Sequence, residues 1–106
     1  MKIVFLNGGL ANQVFQYMFF RAAQLRHMNN EEWILDDSFF YINQVHNGYE
    51  LEKVFGLHPQ LLSGYFEKDI WEYMMKQKAE KRKSMPQLLS EARIDFVMMT
   101  ENDNYN

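Results

Sequence analysis

The segment Gly8-Gly9-Leu10-Ala11-Asn12-Gln13-Val14-Phe15-Gln16-Tyr17 holds the residues of this chain best suited to chemistry. Two glycines between an apolar run and a helical pattern let a ligand approach the backbone, or serve a tight turn that needs glycine torsions. Where a helix begins, unpaired backbone N–H groups and the positive end of the helix dipole favour an anion. Amides crowd this corner at Asn7, Asn12, Gln13 and Gln16, where a phosphate loop would carry Lys with Ser or Thr. That composition points to a sugar or nucleotide-sugar partner rather than ATP. Gly8, Gly9, Leu10, Asn12 and Gln13 are the candidate contacts, with N-capping of the helix as the other role open to Asn12.

Asp36 and Asp37 follow a short apolar run, and open parallel sheets place ligand contacts at the carboxyl ends of strands. Either carboxylate could take a ribose or acceptor hydroxyl, and either could cap the turn that follows. His46-Asn47 could touch an acceptor sugar or stabilise its own turn with Gly48. The three histidines lack metal-ligand spacing. The acidic tail around Glu101 and Asp103 lacks the glycine and final glutamate of a calcium loop. Trp33, Phe39, Phe40 and Tyr41 could stack on a sugar face, with core packing as the plainer role. The methionine pairs Met74-Met75 and Met98-Met99 read as core filler.

These side chains need elements to hold them. Lys2 to Leu6 predicts a buried strand ending at Asn-Gly-Gly. From about Asn12 to Met28, Val14, Phe15, Met18, Phe19, Ala22, Leu25 and Met28 define one apolar helix face, with Arg21, Gln24 and His27 on the wet side. Asn29-Asn30 would stop that helix. Trp33-Ile34-Leu35 predicts a second strand, parallel to the first through a right-handed βαβ crossover. Phe39 to Val45 reads as a loop or a short extended piece. A short helix is expected over Tyr49 to Phe55, stopped by Gly56. Ser63 is the expected cap of a helix over Tyr65 to Lys83, with Phe66, Ile70, Tyr73 or Met74, and Gln77 on one side. Pro86 ends that element and opens a helix over Gln87 to Ala92, and Ile94 to Met99 reads as a third strand.

The 106 residues correspond to one domain or part of one, and 47% hydrophobic content supports a core. A formal net charge of −3 gives no reason to invoke nucleic acid, and the basic run Lys76 to Lys83 reads as a solvated helix face. The absence of cysteine excludes disulfides and fits a reducing compartment. Ile3 to Leu6 is too short an apolar stretch for a signal peptide, and nothing approaches a membrane span. A soluble, cytoplasmic protein is expected. Three strands would leave exposed sheet edges, so the chain is expected to be the N-terminal piece of a larger α/β protein, able to self-associate through its incomplete sheet.

The opening motif, together with His46-Asn47-Gly48-Tyr49-Glu50-Leu51-Glu52-Lys53-Val54-Phe55, resembles the bacterial α-1,2-fucosyltransferases of glycosyltransferase family 11. Members typically begin with a strand followed by Gly-Gly-Leu-Gly-Asn-Gln-Met-Phe-Gln-Tyr. They carry an Asp at the end of the second strand, as at Leu35-Asp36, and a Tyr-Glu-Leu segment leading into a short helix, as at Tyr49-Glu50-Leu51. The likeness is close over residues 1 to about 57 and loose over 58–106, where a helical hairpin-like region and a further strand are expected. Ala11 stands where the family has a glycine. It is strained if the backbone there needs positive φ, and harmless if it already belongs to the first helical turn.

The resemblance implies an α/β fold: an incomplete, Rossmann-like N-terminal domain of a two-domain GT-B-type glycosyltransferase. It implies transfer of L-fucose from GDP-fucose to the 2-hydroxyl of a galactoside, with inversion and without a cofactor or required metal. GDP-fucose and a galactoside would be its partners, and peripheral association with the inner face of the membrane is consistent with it. On that likeness Gly8, Gly9, Leu10, Asn12, Gln13, Asp36 and His46 would line the donor or acceptor site. The family's His-x-Arg-Arg-x-Asp segment for the donor diphosphate has no counterpart, because no two arginines are adjacent here. The chain alone is therefore expected to be inactive. Two other readings remain: a dinucleotide-binding half domain, although the Gly-x-Gly-x-x-Gly spacing is lacking, and a non-catalytic interaction module.

Overall fold

A computed structural model describes residues 1–26, 31–43 and 47–99. The central strand is Lys2–Phe5 (β1), and it is parallel to both of its neighbours, Trp33–Asp36 (β2) and Val97–Met99 (β3), in the order β2-β1-β3. Ile3 lies opposite Ile34 on one side and Met98 on the other. Between the strands come the helices Leu10–Arg26 (α1), Phe39–Ile42 (α2), Leu51–Phe55 (α3), Lys68–Glu80 (α4) and Met85–Glu91 (α5), with a 3₁₀ turn at Leu62–Gly64.

Successive strand residues point to opposite faces, so one four-residue strand feeds two cores. Ile3 and Ile34 pack with Trp71, Met74 and Met75 of α4 and Met85, Leu88 and Leu89 of α5. Val4 and Leu35 pack with Phe20 and Ala23 of α1 and Leu51 of α3. The α/β class and the parallel β1–β2 pair match the sequence reading.

The outer edge of β2 is not bare as expected. Leu61 forms a parallel bridge with Leu35, and the Leu35 N–H donates to the Gln60 carbonyl at 2.9 Å. Two expected features, the helix stop at Asn29-Asn30 and His27 on the wet face, lie outside the described residues.

Several elements differ from expectation. Helix α1 starts at Leu10, two residues before the expected Asn12. It also presents a different face. Gln13, Phe20 and Ala23 are buried, whereas Phe15, Met18 and Leu25 are 71%, 60% and 57% exposed. Val14 and Phe19 reach the core in part. The buried stripe contains a glutamine whose polar atoms are satisfied inside, so a count of apolar residues cannot find it.

The aromatic run after β2 is a short helix, α2, rather than an extended piece. The Asp36 carboxylate accepts from the Ser38 N–H at 2.9 Å and turns the chain there, against the strand preference of Phe, Tyr and Ile. Helix α4 runs over Lys68–Glu80, shorter than the expected Tyr65 to Lys83, and Ser63 does not cap it. Its buried residues are Trp71, Met74 and Met75, while Ile70 and Tyr73 are exposed. It ends ahead of Pro86, close to Arg82, which adopts a left-handed φ of 55°. Pro86 sits in the first turn of the next helix as expected, although α5 begins at Met85, and Ser84 caps it by accepting from the Gln87 N–H at 3.2 Å. Gly56 stops α3 in the left-handed conformation as expected.

The observed phase of α1 gives a direct comparison. Phe20→Ala should destabilise the fold by roughly 3–5 kcal/mol, and Phe15→Ala should stay within about 0.5 kcal/mol of the parent. Urea unfolding of both variants measures this. Equal losses would mean that the helix is rotated from the position described.

Candidate functional site

Parallel strands bring their carboxyl ends to one edge of the sheet, and three loops meet there. The first follows β1 and contains Asn7, Gly8 and Gly9. Gly8 has φ +77°, a conformation that side chains resist, and an added Cβ would lie 2.5 Å from Asn12 Nδ2. The torsion is what favours glycine at this position, since the exposed Asn12 side chain can swing aside from an added Cβ. The Gly9 carbonyl accepts from the Gln13 N–H at 3.0 Å, so Gly9, rather than Asn12, is the residue from which α1 departs. Ala11 lies in the first helical turn without positive φ, so it is unstrained. No acidic residue occupies this first turn to offset the dipole.

The strand order adds significance to this corner. The connection from β1 leads to one side, to β2, and the next strand returns to the other side of β1. The reversal falls between β1 and β3, and open α/β sheets bind ligands in the crevice beyond such a point. The loop after β1 forms one wall of that crevice.

Gln13 is fully buried and joins three segments. Its Nε2 donates to the carbonyls of Gly8 at 3.0 Å and Gly48 at 2.8 Å, and its Oε1 accepts from the Glu50 N–H at 2.8 Å. Both amide hydrogens are therefore used, and Gln13 positions the glycine corner against the segment leading into α3. Gln16 does the same on the other side. Its Oε1 accepts from the Asn7 N–H at 2.8 Å and its Nε2 donates to Asn7 Oδ1. Leu10 and the two glycines are half-buried, and Asn12 is exposed.

The second loop follows β2. Asp36 is 1% exposed, which places it beneath the surface. Its Oδ1 holds the Ser38 N–H, while Oδ2 has no hydrogen-bond partner among the described residues; neither does the buried Ser38 Oγ. Asp37 is also buried and accepts twice from Ser63, from its N–H at 3.0 Å and from its Oγ at 2.6 Å. Burial pushes both carboxyls above their usual range, opposed by the hydrogen bonds from Ser38 and Ser63. The third loop brings Tyr49 into the core beside α1. Its hydroxyl has no partner among the described residues, and burial raises its pKa to about 12.

The structure therefore divides the sequence-predicted set. Gly8, Gly9, Leu10 and Asn12 lie together at the accessible corner. Gln13 and Asp36 are buried supports, and His46 lies outside the described residues. Sequence reasoning missed the bridging role of Gln13 and the link from Asp37 to Ser63. Only the Tyr49-Glu50-Leu51 motif hinted that this segment meets the glycine corner. No helix is long and apolar enough to cross a membrane among the described residues. No family model, curated protein or solved structure matches the chain.

Two outcomes follow from this geometry. Gln13→Ala leaves two carbonyls and one N–H without their partner and should cost at least about 2 kcal/mol in urea unfolding. The carboxyls give a pH signature. Both have folded pKa values above the unfolded 3.8, so their contribution to stability is full below that value. It is lost as pH rises through the folded pKa. Asp36→Asn should therefore gain on the parent steadily from acid to neutral pH. A difference that stays flat or shrinks would contradict the burial assigned to Asp36.

Proposed function

We propose that this chain forms one wall of the cleft of a GDP-fucose-dependent galactoside α-1,2-fucosyltransferase, within a Rossmann-like domain that faces a second domain in a GT-B-type enzyme. The observation that carries the reading is the left-handed Gly8 beside Asn12, at the start of α1 and at the topological switch point. The motif resemblance supplies the chemistry. In this reading the backbone of Gly8 to Leu10 and the Asn12 amide touch sugar or diphosphate oxygens, which suits first-turn N–H groups that have no intrahelical partner. Gln13, Gln16 and Asp36 hold that surface in place. A wall of this kind does not close the site. The donor's diphosphate needs cationic hydrogen-bond donors, and this corner carries no lysine or arginine.

A dinucleotide-binding half domain is less well supported. Its ribose contact would fall to Asp36, whose carboxylate is buried and occupied at Oδ1.

Fucosyl transfer from GDP-fucose to lactose should be undetectable with residues 1–106 alone. It should appear when a second domain bearing the paired-arginine segment is supplied, and Asn12→Ala, at an exposed position, should lower it about tenfold or more while urea unfolding shows the fold retained. Tight, saturable binding of GDP by the chain alone, measured by calorimetry, would defeat the proposal.

A further inference from the structure

A second concave site lies at the same carboxyl edge, on the opposite face of the sheet from α1. It is a cleft of about 470 Å³ between α2, the 3₁₀ turn and α4. That volume falls within the range of roughly 300–1,000 Å³ typical of small-molecule sites. Its wall is aromatic. Phe66 stacks on Trp71 with ring centroids 6.1 Å apart and planes 20° apart. Tyr41 meets Trp71 edge-on at 5.4 Å and is itself 54% exposed. Lys68 and Glu72, one turn apart on α4, stand at the exposed rim, and Gly64 leaves open space where a side chain would be. The position is fixed by polar contacts already described. Leu61 runs parallel to β2, and Asp37 holds Ser63 by two hydrogen bonds, which fastens the turn over the end of the strand. Beneath the wall the buried Trp71 indole N–H lacks a hydrogen-bond partner among the described residues, an uncommon condition for a buried donor.

We infer that this cleft binds a pyranose ring of a neutral carbohydrate, with an apolar ring face against Tyr41 and Phe66 and hydroxyls at Lys68 and Glu72. A sugar ring combines a face of C–H bonds with an edge of hydroxyls, and the cleft combines aromatic faces with an edge of mixed charge. The rim carries one ammonium and one carboxylate, so a phosphate gains no net attraction there, whereas hydroxyls donate to the carboxylate and accept from the ammonium. The inference does not require the transferase reading, because binding here involves neither the glycine corner nor turnover.

The test is titration of the protein with methyl β-galactoside and with lactose, followed by ¹H–¹⁵N NMR. The two tryptophans give two indole signals, and Trp33 packs in the other core. The expected result is saturable movement of the Trp71 indole and Gly64 amide signals, with the Trp33 indole unmoved and Kd on the order of millimolar. Tyr41→Ala and Glu72→Ala should each weaken binding about tenfold or more while the remaining spectrum stays dispersed. Loss of binding in both folded variants supports the site. Absence of saturable shifts, equal movement of both indoles, or binding unchanged in both variants would overturn it. Shifts produced by guanosine but not by either sugar would overturn it as well. Because GDP-fucose is absent from this titration, its failure is separable from failure of the transferase reading.

Discussion

The parallel pairing of β1 on both of its edges is the constraint from which the rest of this structure follows. Parallel neighbours cannot be joined by a hairpin, so each connection has to cross a face of the sheet. With β2 on one side and β3 on the other, α1 and α3 cover one face, and α4 and α5 cover the other. The alternation of Ile3 and Val4 then assigns one residue to each core. All strand carboxyl ends point the same way, which gathers the glycine corner, the acidic pair and the 3₁₀ turn along one edge. The concentration of candidate sites there is a result of topology before it is a result of side-chain chemistry.

Polar side chains near that edge divide into those that build and those that remain available. Gln13, Gln16, Asp36 and Asp37 hold backbone groups that no sheet or helix ladder reaches. A buried amide used in this way is nearly neutral in energetic terms, because it replaces water as the partner of groups that must be paired. A buried carboxylate is different. Asp36 gives up hydration and recovers one hydrogen bond, which explains why burial dominates its protonation behaviour. Asn12 and the backbone of Gly8 to Leu10 are spared structural duty of this kind at their exposed side.

The strands were readable because short β-rich apolar runs flanked by turn residues have few alternatives, as at Trp33-Ile34-Leu35. Gly56 was readable for a similar local reason. The helix phases were not. In α1 the expected Val14 and Phe19 do pack on the core in part, beside Tyr17, but Phe15, Met18, Ala22 and Leu25 are exposed and the buried set is Gln13, Phe20 and Ala23. In α4 the bulky Ile70 and Tyr73 face outward while Trp71 and two methionines turn inward. Hydrophobic counting assumes that polarity marks the surface, and it fails where a polar group finds partners inside. The candidate site was legible as a corner, from its glycines and amides. The division between contacts and supports was not, since the partners of Gln13 lie 35 and 37 residues further along the chain.

That separation also bears on the order in which the chain can assemble. The strands β1 and β2 and helix α1 could pair early, within the first third of the sequence. The Gln13 contacts to Gly48 and Glu50 span 35 and 37 residues, little more than the separation of the paired strand residues Ile3 and Ile34. They therefore differ less in closure entropy than in needing a further segment to dock on a helix already in place. Until then Gln13 is a polar group enclosed in a forming core without its partners. The glycine corner is thus completed only when the segment before α3 docks, and its final shape reports that residues 47–51 have arrived.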